Sequence, residues 1–242
     1  MVWLLFYIQF KMIFTLKSVT EGELLLIDKP LKWTSFQVVN KIRWALKRKF
    51  NIKKLKVGHA GTLDPLASGL LIICTGKMTK KISEFQDLDK TYIGTITLGA
   101  TTPSFDLETP INKRFPLKNL NKEKIIEAKK KFIGPINQYP PIFSAIKKKG
   151  KRLYEFARIG KKIEIQSRKV FIYNFEFSKI NLPDLNFKLK CSKGTYIRSL
   201  ANDFGKSIDS GGYLSSLRRT AVGSFKIKNA IQLQEFIEKL KL

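Results

Sequence analysis

The chain has 242 residues, 43% of them hydrophobic, which is long enough to bury a sizeable core and too apolar for an extended disordered protein. It carries 46 lysines and arginines against 19 aspartates and glutamates, a formal +27, and so large an excess of one sign points to a polyanionic partner, nucleic acid before a membrane surface. One histidine and two distant cysteines, Cys74 and Cys191, exclude the usual four-ligand zinc site, and the two thiols read as buried cysteines of a cytoplasmic protein rather than a disulfide.

Residues 1–20 form an apolar extension whose run MVWLLFYIQFKMIFTL is interrupted by Gln9 and Lys11. It is too short and broken for a transmembrane helix, and it lacks the basic start and cleavage site of a signal peptide. Three readings stay open: an extra packed segment, a weak surface anchor, or translation starting at Met12 or later. No stable membrane association is expected. From 21 to 242 the pattern reads as a single domain without repeats or linkers.

Leu24-Leu25-Leu26-Ile27 predicts a buried strand stopped by Asp28-Lys29-Pro30. Thr34-Ser35 then starts a helix with Phe36, Val39, Ile42 and Leu46 at helical spacing. Its far end carries Lys47, Arg48, Lys49, Lys53, Lys54 and Lys56 without an acid, which is either a solvated face or a phosphate-tracking surface. The string GHAGTLDPLASGLL over 58–71 holds the only histidine, His59, five residues before Asp64, and leads into a strand at Leu70–Cys74. A carboxylate on a loop framed by small residues suits a nucleophile or a general base, and the same pattern also describes an Asp-Pro turn entering a buried strand.

A short helix is predicted near Thr79–Phe85, and an alternating strand at Thr91–Leu98. Residues 99–110 are turn-rich, Lys122–Phe132 reads as a helix, and Gln138 to Phe143 as an extended loop. Residues 142–170 place ten lysines and arginines against two acids, with Tyr154 and Phe156 among them, the composition of an RNA-contacting hairpin and helix. Val170–Phe177 and Leu185–Cys191 predict paired strands. Ser192-Lys193-Gly194 then turns into Thr195–Leu200, which opens a helix towards Gly205, and Gln232–Leu242 is the last helix. Strands and helices are mixed rather than alternating as βαβ units, which gives an α+β fold.

Several separated segments resemble the tRNA pseudouridine synthase B (TruB) family. They are LLLIDKPLKWTSFQVV from Leu24, the Asp64 loop, Asp89-Lys90-Thr91-Tyr92, PPIFSAIK from Pro140, Gly150–Arg158, CSKGTYIRSL from Cys191, and Leu217-Arg218-Arg219-Thr220. In order over roughly residues 23–230, they are too many for chance. The resemblance implies a pseudouridine-synthase-like mixed, mainly antiparallel sheet flanked by helices and loops. It implies isomerisation of uridine to pseudouridine at position 55, in the T arm of tRNA.

Carried over by position, Asp64 is the nucleophile, attacking C6 of the base or C1′ of the sugar of a flipped-out nucleotide. Tyr92 stacks on the base and is the candidate for removing the C5 proton. Arg198 pairs with Asp64, Tyr196 and Leu217 line the pocket, His59 helps hold the nucleotide, and Lys29, in the Lys-Pro turn, joins the substrate-binding set. Whether Tyr196 and Arg198 share one site depends on whether that segment is still extended or already in the first helical turn. No metal or organic cofactor is expected, because the reaction is redox-neutral. The expected partner is tRNA, without guide RNA or DNA, acted on by a monomer. Many family members carry a small RNA-binding PUA domain after the catalytic domain; too few residues follow Thr220 here, so 21–242 reads as the catalytic domain alone.

Overall fold

The computed structural model describes residues 14–240 except 119, 145, 149 and 162, so the readings for residues 1–13 lie outside it. Its framework is one sheet of ten strands, here called β1 (Leu24–Lys29), β2 (Val57–His59), β3 (Ala67–Thr75), β4 (Lys90–Leu98), β5 (Gly134–Gln138), β6 (Arg168–Asn181), β7 (Asp184–Cys191), β8 (Gly212–Val222), β9 (Phe225–Lys226) and β10 (Ile231–Gln232). The order across the sheet is β10-β1-β3-β8-β4-β7-β6-β5, with β2 beside β3 and β9 beside β8. The β1–β10 and β3–β8 pairs are parallel and the other pairings antiparallel, which is the mixed, mainly antiparallel α+β arrangement.

The helices are α1 (Leu16–Glu21), α2 (Ser35–Lys49), α3 (Ile82–Asp87), α4 (Lys122–Lys130), α5 (Leu153–Arg158), α6 (Ile197–Ser207) and α7 (Leu233–Lys239). Residues 14–21 belong to the fold: Val19 is buried, and Phe14 packs edge-on against Phe236 of α7 at 5.6 Å. Thr34 caps α2 through a reciprocal box with Gln37, as its sequence predicts. The inward stripe of α2 is Val38, Val39, Ile42, Ala45 and Leu46, while Phe36 is 61% exposed and points away from the core. Phe36 fits the helical period, but the buried arc starts two residues later.

The apolar run on β3 reads continuously because both faces are covered. Leu71 and Ile73 join the core under α2 and α7, while Leu70, Ile72 and Cys74 join a second core with Ile82 and Phe85 of α3. A third core lies across β4, β6, β7 and β8 beneath α4 and α6, where Phe175, Phe187 and Phe204 are fully buried. Burial on that scale contributes about 1.5–3 kcal/mol per side chain.

Strand β8, which the sequence does not announce, is the seam of the molecule. Leu217 stands opposite Ala67 on one side and Gly94 on the other, and Arg219 stands between Gly69 and Tyr92. Helix α6 lies directly on this strand, because a Cβ on Gly205 would fall 2.2 Å from backbone atoms of Gly211 and Gly212. Gly69 is as constrained: its φ is +106°, and a Cβ there would meet the Arg219 carbonyl oxygen at 2.3 Å. Gly69→Ala is therefore expected to cost at least about 2 kcal/mol in a denaturant titration, since neither the strand backbone nor the positive φ can yield cheaply. A loss under 0.5 kcal/mol by the same titration, again an approximate bound, would mean that β3 and β8 are not held at this separation.

Candidate active site

The loop at 60–66 joins β2 to β3 and carries Asp64. Three outside elements brace it. The Ser35 hydroxyl at the start of α2 donates to Leu63 O at 3.0 Å and accepts from Leu63 N at 2.9 Å. Lys32 N donates to Pro65 O at 2.8 Å, and Arg219 Nη2 donates to Gly61 O at 3.0 Å. The loop closes on itself through Ala67 N to Asp64 O at 3.0 Å.

Arg198 fixes the Asp64 carboxylate. Its Nε donates to Asp64 Oδ2 at 2.9 Å and stands 3.6 Å from Asp106 Oδ2, while Nη1 and Nη2 donate to the carbonyls of Ser104 and Phe143 at 3.1 and 2.9 Å. The Arg198 side chain is 3% exposed and that of Asp64 36%, so the cation is dry and the anion faces outwards. A guanidinium held at four points cannot swing, and it keeps the carboxylate aimed. Asp106 in turn accepts from Glu108 N at 3.0 Å, and its own carbonyl accepts from Thr102 Oγ1 at 2.6 Å.

The first helical residue after Tyr196 is Ile197, and Tyr196 itself is extended, with φ −94° and ψ 107°. Gln138 of β5 clamps the Tyr196 backbone, accepting from its N–H at 2.7 Å and donating to its carbonyl at 3.0 Å. This in-between geometry settles the question that the sequence leaves open: Tyr196 and Arg198 reach the same cavity.

That cavity is a cleft of about 650 Å³ lined by Asp64, Tyr92, Tyr196, Arg198 and Leu217, together with Lys90, Arg168 and Arg219. Tyr92 is buried, which pushes its phenol up to about 12, with the neighbouring Arg219 guanidinium opposing the rise. Burial also raises the Tyr196 phenol, against the pull of Arg168, whose guanidinium lies 5.2 Å from the Tyr196 ring centroid. Lys90 is lowered to about 8 by burial and by Arg219, and its ammonium donates to the carbonyls of Gln86 and Leu88.

Two predicted residues fall outside the lining. Lys29 is fully buried, with Nζ donating to Pro30 O at 2.9 Å and Trp33 O at 2.5 Å, and burial lowers it to about 8 despite the nearby Asp64 charge. It therefore stands outside the cleft lining and holds the turn after β1. His59 ends β2, half-buried, with Nδ1 buried and without a hydrogen-bond partner; burial and the Arg219 charge hold its pKa below the usual histidine value. Asp106 and Arg219 are the residues that sequence reasoning misses. Asp106 lies in a stretch that reads only as turns, and Arg219 in an arginine pair with no carboxylate nearby in sequence. Among the described residues, no group of three or more His, Cys, Asp or Glu side chains is arranged to hold a metal ion.

The basic segments lie on the surface. At the end of α2, Arg48, Lys49, Lys53, Lys54 and Lys56 are exposed, and Lys41 and Arg48 lie over the exposed ring of Trp44 at 5.1 and 5.3 Å. In the predicted hairpin and helix, short strands at Lys147–Lys148 and Lys151–Arg152 pair and lead into α5, where Arg152 and Arg158 flank the Tyr154 ring at 5.9 and 5.2 Å. Among the described residues, no helix is long and apolar enough to cross a membrane.

Residues 47–197 match the profile described as TruB family pseudouridylate synthase (N terminal domain). The chain is 60% identical over 222 residues to tRNA pseudouridine synthase B of Flavobacterium johnsoniae, an alignment covering 91% of this chain and 97% of that one. It is 52% identical over 220 residues to the protein of the same name from Phocaeicola vulgatus, covering 91% and 94%. Among solved structures it resembles a chain in the crystal structure of a Cbf5-Nop10-Gar1 complex, with a TM-score of 0.67 and 30% identity. That match covers 91% of this chain and 54% of the other, so this chain spans about half the length of that one.

The Lys29 ammonium gives a pH test of the site's electrostatics. A folded pKa of about 8 against an ordinary 10.5 means that the unfolded chain binds more protons above pH 8, so stability rises with pH there. Between pH 8 and 9, wild type is expected to gain about 1 kcal/mol relative to Lys29→Met in denaturant titrations. Parallel curves for the two proteins would show that Lys29 stays charged in the fold.

Proposed function

The chain belongs to the TruB family of pseudouridylate synthases, and from that premise we propose that it isomerises uridine 55 in the T arm of tRNA with Asp64 as the nucleophile. The observation that carries the assignment is the Asp64 carboxylate, ion-paired to the buried Arg198 and turned towards a cleft lined by Tyr92, Tyr196 and Leu217. A uridine in a folded loop must leave its stack to reach that carboxylate, at a cost of a few kcal/mol by rough estimate. Stacking against Tyr92 and contacts between the basic surface and phosphates offset that cost. In this reading His59 fills space that the extruded nucleotide leaves in the RNA.

Asp64 joins the substrate at C6 of the base or C1′ of the sugar, and the N1–C1′ bond breaks. The base rotates, C5 bonds to C1′, and the C5 proton is lost while N1 gains one. Asp64 is then released unchanged. Tyr92 is the group beside the base for the proton step, and Arg198 holds the carboxylate in place before attack. No redox partner enters this balance. The basic surfaces on α2 and around α5 track the RNA backbone, and the chain acts on bare tRNA as a monomer without guide RNA. As an enzyme of tRNA it works in the cytoplasm, and residues 21–242 serve as its catalytic domain.

The direct test uses an unmodified tRNA transcript, the purified chain and Asp64→Asn, with pseudouridine mapped by chemical labelling and primer extension. A single mark at position 55, absent with the variant, is expected. Tight binding with no mark would reassign the protein to RNA binding or to an enzyme that needs a partner. The basic surface is tested separately: affinity for tRNA is expected to fall at least about tenfold between 50 and 200 mM salt, as counterion release requires when several phosphates are neutralised. A flat response would refute the phosphate-tracking role of α2 and α5.

A further inference from the structure

Arg219 has no part in the steps above, yet its setting is not that of a structural ion pair. It is 1% exposed, and its partners are carbonyl oxygens: Nε donates to Leu70 O at 2.7 Å and Nη2 to Gly61 O at 3.0 Å. Two buried or half-buried arginines beside it do have carboxylates. Arg198 has Asp64 and Asp106, and Arg218 has Asp28 at 2.5 Å. A buried cation held only by dipoles keeps much of its field, at a desolvation cost that such partners offset incompletely. Its neighbours register that field: Lys29, Lys90 and His59 are all held below their ordinary pKa values in part by Arg219.

The two carbonyls lie on either side of Asp64 along the chain, Gly61 in its loop and Leu70 in the strand that follows, so the guanidinium is anchored to the segment that carries the nucleophile. Strand register sets Arg219 directly opposite Tyr92 on the neighbouring strand, and the guanidinium charge acts on the phenol there. Tyr92 and Arg219 both line the cleft.

We infer that Arg219 is a positioning residue for the proton step: anchored on Gly61 and Leu70, it fixes the Tyr92 phenolic oxygen beside the base and stabilises its ionised form. The inference rests on the reading of Tyr92 as the group that takes the C5 proton. In that step the phenol has given its proton to water, and the phenolate oxygen takes the proton from C5. The electron pair of the C–H bond re-forms the C5=C6 bond, and N1 of the product carries the balancing proton from solvent. Arg219 acts on the oxygen that does this and touches no reacting carbon.

Single-turnover rates on a tRNA transcript carrying hydrogen or deuterium at C5 of the target uridine test the idea, with Arg219→Gln, Arg219→Lys, Tyr92→Phe and the double variants. Arg219→Gln is expected to slow turnover by about a hundredfold or more, the scale for losing a preorganised donor at a reacting centre. Its tRNA affinity should stay within about threefold of wild type, because the residue is 1% exposed and its donors are taken by Leu70 O and Gly61 O. Its C5 isotope effect should exceed that of wild type. Added to Tyr92→Phe, the same change should cost less than about threefold more, since both act through one oxygen.

Independent, multiplying losses with an isotope effect fixed at the wild-type value would overturn the proposal and leave Arg219 a structural residue. Arg219→Lys keeps the buried charge without the planar fork, and it supplies the same comparison if the glutamine variant does not fold. Failure of the underlying reading looks different: Tyr92→Phe would then keep the wild-type rate and isotope effect while Asp64→Asn still abolishes turnover.

Discussion

A guanidinium sealed from water faces a carboxylate open to it, and the rest of the site is arranged around that contact. In a low-dielectric setting the attraction between Arg198 and Asp64 is strong, but a buried cation that loses its partner is costly. The second carboxylate resolves the conflict. Asp106, 3.6 Å from the same Nε and nearly as buried as the arginine, stays beside the cation whatever happens to Asp64. In the proposed reaction Asp64 spends part of each cycle bonded to carbon and uncharged. With Asp106 and two carbonyls in place, Arg198 remains compensated through that interval, so consuming the nucleophile's charge does not destabilise the fold.

Two electrostatic regimes coexist in the chain. The surface lysines and arginines of α2 and α5 are solvated, screened by salt, and suited to long-range attraction of a polyanion without reading its sequence. At the cleft stand three nearly buried cations, Lys90 and Arg219 in its wall and Lys29 outside its lining, which water screens little. Burial already weakens the ammonium form of the two lysines, while the guanidinium, with its far higher intrinsic pKa, keeps its charge. The permanent field of the site therefore belongs mainly to Arg219, and it acts on the buried Tyr92 phenol. Affinity and chemistry thus draw on different cations.

Much of the fold is legible in the sequence because local pattern and tertiary setting agree. The Thr34 capping box, the doubly buried run on β3 and the alternation of β4 all have a local cause. Phe36 misleads because period alone does not say where a buried arc begins. Strand β8 escapes notice because its cleft-lining and buried positions include Leu217 and Arg219, so polar and apolar residues do not alternate as they do on a half-buried strand. In the site, Asp64, Tyr92, Tyr196, Arg198 and Leu217 come together as the family resemblance implies. Lys29 and His59 stand just behind or beside the cleft, a distinction of a few ångströms that spacing along the chain cannot carry. The roles of Asp106 and Arg219 at the site come from partners ninety or more residues away, Arg198 for the one and Gly61 and Leu70 for the other.

The separation of the matching segments along the chain has a physical cause in the bracing of one carboxylate. Ser35 and Lys32, from the first segment, hold the Asp64 loop through Leu63 and Pro65. Arg198, from the Cys191 segment, holds the carboxylate itself, and the Pro140 segment returns Phe143 O to the same guanidinium. Arg219, from the Leu217 segment, holds Gly61 and Leu70 and meets Tyr92 from the Asp89 segment. Each of these segments contributes contacts from outside, because a loop of seven residues at 60–66 cannot rigidify itself against the entropy of its own backbone. A nucleophile presented on a short loop must be fixed from outside, and in this fold the outside means strands and helices drawn from nearly the whole chain.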